Sequence, residues 1–210
     1  MRVLLDNEPC SVSAKSLGEA LQAANDIAEG RGRLVVEVLV DGILLSDTQL
    51  QEETRLAAGA SEVQLRTTTA LDLLSETFAS ASRAVIESEQ VQENAAKLIQ
   101  AGQVVEGMKA LSTALATWME VHEAVIKGLT LAGEDPETLV IDGIKLNDAS
   151  IGLQDRLGDL RSAISTSDPS AICDCLLYEF PAVSNDWAGL LYGLSRRYDS
   201  NATEEDEKES

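Results

Sequence analysis

The chain has 210 residues, with 36 acidic against 16 basic side chains, a formal net charge of −20, and only 3% aromatic residues. The acidity runs along the whole chain without a basic island, which argues against a phosphate-tracking surface and so against nucleic acid as a partner; anionic membrane surfaces are disfavoured for the same reason. With so few aromatics the cores must be built from Leu, Ile, Val and Ala, and no apolar run approaches the ~20 residues of a membrane span.

The three cysteines, Cys10, Cys173 and Cys175, are too sparse for a secreted disulfide scaffold and point to a reducing cytoplasm. Asp6 and Glu8 interrupt the N-terminus before a signal-peptide core can form. Asn201-Ala202-Thr203 is a glycosylation triplet only by chance in that compartment. The acidic balance serves solubility, and it would also complement a basic partner surface.

Val3 and Leu5, then Cys10 and Val12, alternate with polar neighbours around Asp6-Asn7-Glu8, a β-hairpin pattern. Ser16, with Glu19 three residues on, reads as a capping box. Leu17, Ala20, Leu21, Ala24 and Ile27 then share one helical face, which Gly30 and Gly32 end. Leu34, Val36, Val38 and Val40 alternate along a strand; Asp41-Gly42 turns it, and Ile43-Leu44-Leu45 returns. An irregular connection follows Leu50, and Val63 and Leu65 mark a last strand ending near Thr68.

That order is strand, strand, helix, strand, short strand, strand. In element order, length and local texture it resembles ubiquitin-like β-grasp domains, with MRVLLDNEPCSV as the opening hairpin and VLVDGILLSDTQLQEET as the passage into the short strand. The resemblance covers residues 1–68 and implies a docking module without catalytic activity. The chain continues past the last strand and has no terminal Gly-Gly to conjugate, so a modifier role is not expected.

The remainder reads as helical. Leu71, Leu74, Phe78, Ala81 and Val85 form one stripe, which Ala95, Leu98 and Ile99 extend towards Gly102. Val104, Met108, Leu111, Leu115, Trp118, His122, Val125 and Leu129 form a second, with Val105, Met119 and Ile126 as a parallel row. So wide an apolar face predicts a central helix in a bundle. Gly133-Glu134-Asp135-Pro136 breaks it. A hairpin over 139–146 follows, whose IDGIKLND echoes VDGILLSD at 40–47; both solve the same Asp-Gly turn. Alone it would be marginal, so it must pack on the helices, on the first domain or on a partner. Leu153, Leu157, Leu160 and Ile164 mark a third helix. Asp168-Pro169 caps a fourth, carrying Ile172, Leu176, Glu179, Val183, Trp187, Leu190 and Leu194, with a kink or break expected at Pro181. The segment from IDGIKLND through Leu160–Ile164 to CLLYEFPAVSNDW resembles small bacterial helical proteins of obscure function, and that resemblance implies no chemistry. The last residues, 200–210, have the composition of a disordered acidic tail.

The fold class expected is therefore α+β: a β-grasp domain at 1–68, then a mainly α four-helix region at 69–199 with an inserted hairpin. No phosphate loop, dinucleotide fingerprint or Gly-x-Ser-x-Gly elbow is present. Cys173 and Cys175, two apart on a helix, are turned roughly 200° from each other and cannot chelate one ion; they read as small core residues. His122 and Glu179 interrupt apolar stripes, either as bundle-edge residues with wet tips or as a buried contact setting helix register, and Arg156 or Arg161 is placed to neutralise Glu179. Catalytic, metal and cofactor residues are not expected. Tyr178, Glu179, Pro181 and Trp187 are the candidate protein-binding residues, with packing as the alternative role for the two aromatics. Function reads as a non-catalytic protein–protein adaptor; the alternative is a chaperone-like helical protein sequestering an apolar segment of an export or assembly client. Self-association is compatible with either.

Overall fold

The computed structural model describes residues 1–199, the side chains of residues 47, 53 and 54 excepted. The acidic tail expected at 200–210 lies outside the described residues. The protein is mixed α+β and mainly helical, and it divides into two compact units, Met1–Leu73 and a second from Leu74 onward. The division falls inside a helix, a few residues beyond the Thr68 boundary read from the sequence. The last strand of the first unit runs directly into that helix, whose first turn Thr69 caps by accepting from the Asp72 N–H at 3.0 Å.

The first unit is a five-stranded sheet with one long helix. β1 (Arg2–Leu5) and β2 (Glu8–Pro9) form the opening hairpin around Asp6 and Asn7, both at positive φ. α1 (Leu17–Gly30) begins at Ser16, whose hydroxyl accepts from Glu19 N. The reciprocal half of the expected capping box lands one residue early, with the Glu19 carboxylate accepting from Lys15 N rather than from Ser16 N. Leu17, Ala20, Ala24 and Ala28 are its buried face, and the small alanines let the helix lie close over Val3, Leu5, Val38, Val63 and Leu65. β3 (Arg33–Val40), β4 (Ile43–Leu44) and β5 (Glu62–Thr69) complete a sheet of order β2-β1-β5-β3-β4, in which β1 and β5 run parallel. The connection after β4, expected to be irregular, contains two single helical turns, α2 (Asp47–Leu50), closed by a Ser46/Gln49 capping box, and α3 (Glu53–Leu56).

The second unit is built on α4 (Ala70–Gln100), α5 (Val104–Ala132), α6 (Leu146–Ser165), α7 (Pro169–Asp174) and α8 (Phe180–Arg197), with the short hairpin β6 (Val140–Ile141) and β7 (Ile144–Lys145) between α5 and α6. α5 closes on Gly133 in the left-handed conformation, and Asp168 caps α7 by accepting from Ser170 N and Ala171 N with Pro169 in the first turn. The two Asp-Gly turns share one geometry: Asp41 and Gly42 have φ of 50° and 82°, Asp142 and Gly143 49° and 84°. Each hairpin then adds one more bond, Leu45 N to Val38 O and Leu146 N to Leu139 O, and buries the leucine that donates it.

In the second unit three expectations change. The Val105, Met119 and Ile126 row of α5 is exposed rather than packed on a second neighbour, and His122 is exposed beside it. α6 starts directly after β7, about two turns earlier than its leucine stripe indicates. The break expected at Pro181 is instead a π turn, Cys175–Glu179, joining α7 to α8, in which Phe180 N–H reaches back five residues to Cys175 O. Pro181 follows immediately, in the first turn of α8, where a missing N–H costs little.

Candidate functional site

The residues singled out in the sequence fall around the π turn and do not converge on one point. Tyr178 is 75% exposed and carries its ring into solvent. Glu179, half-buried, accepts from Arg156 of α6 at 2.7 Å. The same Arg156 Nη1 also meets Asp159 at 3.2 Å. The hydrogen bond to Glu179 raises the guanidinium pKa against the opposing effect of burial, with Asp159, Glu179 and Asp155 adding attraction. Of the two arginines considered from sequence, Arg156 is the one that pairs with Glu179. Trp187 is only 2% exposed: its ring stands edge-on to Trp118 at 6.0 Å and its Nε1 donates to Ala149 O at 3.1 Å. It is a packing residue that also closes the floor of a groove.

That groove lies between α5 and α6. Leu115, Trp118, Met119 and His122 line it from α5, and Ser150, Leu153, Gln154 and Leu157 from α6, around a volume of about 680 Å³. A smaller apolar hollow of about 230 Å³, which shares Leu115 and Leu157, continues it past Leu160 to Ile164. From Ser150 to Ile164 the lining follows α6 for roughly 21 Å at 1.5 Å per residue. Met119 stands 74% exposed at its edge, with Ile126 and Ile151 also exposed on the two helices. Leu115, Trp118 and His122 belong to the first apolar stripe of α5 and Met119 to the row beside it, and periodicity cannot tell a covered stripe from an uncovered one.

A second concavity, of about 350 Å³, lies between α4 and the π turn. Ile86, Leu176, Leu177 and Pro181 form its apolar part; Glu89, Gln90 and Glu93 form its polar side.

Cys173 and Cys175 are buried, at 4% and 3% exposure. Burial pushes the Cys175 thiol up to about 11, with Glu179 and Asp159 adding repulsion, and burial also raises Cys173. Among the described residues no three His, Cys, Asp or Glu side chains gather to hold a metal ion, and no helix is long and apolar enough to cross a membrane. Three buried polar atoms, Gln92 Oε1, Trp118 Nε1 and Ser184 Oγ, have no hydrogen-bond partner among the described residues. Comparison with protein-family models, with curated proteins and with solved structures finds no match to this chain.

Proposed function

We propose that the chain is a non-catalytic adaptor: a ubiquitin-like β-grasp domain followed by a four-helix region that presents a docking groove. The β-grasp reading is supported by the strand order β2-β1-β5-β3-β4, by the parallel β1–β5 pair between two antiparallel hairpins, and by α1 packed through alanines over Val3, Leu5 and Val63. The four-helix reading rests on the long helices α4, α5, α6 and α8 sharing one core that includes Phe78, Leu111, Leu160 and Leu190.

The observation that carries the adaptor reading is the α5–α6 groove. Apolar surface left open at Leu115, Met119 and Leu157 has a cost in water that a covering partner removes. The test is a photo-crosslinking side chain in place of Met119 in the full chain, expressed in its native host. The adaptor reading expects one recurrent protein adduct that Leu157→Glu abolishes. Adducts no different from those formed with the crosslinker at exposed Arg83 would overturn it.

The chaperone-like reading is favoured by the shape of the same groove, long and apolar enough to take a segment of about four helical turns. If the captured protein binds when unfolded or as a peptide and not when folded, the protein is a holdase for that client; binding of the folded form makes it an adaptor.

A further inference from the structure

We infer that the cleft between α4 and the π turn docks a basic, aliphatic side chain of a partner protein, a lysine or arginine whose stem lies on the apolar floor and whose head meets the acidic wall. This rests on the adaptor reading and adds to it a second contact with a defined chemistry.

The floor is Ile86, 54% exposed, together with Leu176, Leu177 and Pro181, and it suits a methylene stem. The wall is Glu89 and Glu93. Glu93 is engaged by Lys97 at 2.7 Å, whereas half-buried Glu89 makes no ion pair or hydrogen bond among the described residues. Carboxylates accept hydrogen bonds only; an ammonium or guanidinium offers donors only.

The occupant is not a second copy of this chain, because each copy carries −20 and the cleft's own wall is acidic. The chain's own last stretch, 201–210, has five carboxylates and a single lysine and so offers no basic complement. Charge complementarity selects a basic partner segment.

The probe is a short fluorescein-labelled peptide of alternating lysine, leucine and alanine, titrated into the full chain at physiological salt, with a glutamate-for-lysine peptide as control. The lysine peptide binds and the glutamate peptide does not. Amide shifts in a ¹⁵N-labelled sample concentrate on residues 86–93 and 176–182. Glu89→Gln weakens binding about tenfold, the loss of one charge-assisted hydrogen bond, as does Ile86→Ser, while Glu87→Gln, on the same helix and outside the cleft, leaves it unchanged. Both cleft substitutions are at positions open enough for the fold to survive, which the melting temperature checks. Equal weakening by Glu89→Gln and Glu87→Gln means only diffuse counterion binding and overturns the inference. So do shifts confined to the α5–α6 groove, although the adaptor reading would then stand. Concentration-dependent broadening of residues 86–93 without peptide would assign the cleft to self-association instead. A chain that forms no Met119 adducts but binds the peptide at the cleft separates the two proposals in the other direction.

Discussion

Arg156 Nη1 donates to Glu179 Oε2 at 2.7 Å, and the backbone oxygen of the same Arg156 accepts from Cys175 Sγ at 3.7 Å. One residue of α6 thus holds both ends of the π turn, its first residue through the main chain and its last through the side chain. Arg156 and Glu179 are 34% and 41% exposed in their side chains, so solvent screens the pair. Glu179→Gln should cost no more than about 1 kcal/mol. Arg156→Ala should cost more, because it removes the packing of the guanidinium stem as well as the ion pair to Glu179. Denaturant unfolding of both single variants and the double variant gives the coupling. The thiol of Cys175, raised to about 11, should stay unreactive towards a disulfide reagent at pH 8 in every variant that keeps the turn closed. Early reaction of Cys175 in Arg156→Ala would show that the turn opens.

In the first unit Asp6 supports a relay: Thr67 donates to it from its backbone N at 2.7 Å and from its hydroxyl, and Arg33 Nε donates to the Thr67 hydroxyl at 2.6 Å. Burial pushes the Asp6 carboxyl up, but the Thr67 bonds and the charges of Arg33 and Arg31 together leave it below its usual value of 3.8. A carboxylate whose folded pKa is depressed adds stability above its unfolded pKa, and that stability is lost as pH falls through the folded pKa. The wild type should therefore lose stability more steeply than Asp6→Asn below about pH 4, and the two curves should converge in strong acid. Melts from pH 2 to 7, followed through sheet-specific amide signals, check this; parallel curves would mean that Asp6 is not depressed.

Gly193 of α8 is where the second hairpin touches the helix. A Cβ there would meet Ile141 Cγ2 at 2.3 Å and Asp142 Oδ2 at 2.9 Å. Gly193→Ala must therefore displace the turn, at about 1–3 kcal/mol. Gly189, four residues earlier on the same helix, has nothing within 4 Å of its Cβ position. Gly189→Ala should stabilise by about 0.5–1 kcal/mol through helix propensity alone. Opposite shifts in melting temperature confirm the contact, whereas matching gains would show that the hairpin does not rest on Gly193.

The sequence made some of these features legible and hid others, for physical reasons. Strand alternation, the Asp-Gly turns and the Asp168-Pro169 cap are local chemistry, and they appear at the residues that carry them. The exposed row on α5 was misread because an apolar stripe gives no sign of whether anything covers it. The proline marks that the helix is interrupted nearby, while the π turn before it, Cys175–Glu179, leaves only a faint trace. That trace exists: Ile172, Leu176, Phe180 and Ser184 are all buried, at three successive steps of four. On a regular α-helix three such steps overshoot the starting face by ~120°, and one extra residue in a π turn takes up nearly all of it. The stripe read through Glu179 and Val183 follows a regular helix and so falls one residue short of the buried Phe180 and Ser184.

The π turn therefore acts as a one-residue insertion, and its most dispensable member is Tyr178, 75% exposed. Deleting Tyr178 should let α7 and α8 join in one α-helix while Ile172 and Leu176 on one side, and Phe180, Ser184 and Trp187 on the other, keep their faces. The deletion would, however, bring Pro181 to four positions after Leu176, inside an α-helical ladder, where the missing N–H and the ring's clash cost about 3 kcal/mol. The single deletion should accordingly be destabilised by about that amount. Adding Pro181→Ala to it should restore most of the loss, while Pro181→Ala alone, in the first turn of α8 where proline is tolerated, should change stability by less than about 1 kcal/mol. Denaturant titrations of the three variants, with the Trp118–Trp187 pair as the fluorescence probe of register, measure this directly. If the double variant is as unstable as the single deletion, or if its tryptophan emission shifts to that of exposed indole, the extra residue is not what keeps the two helices in register.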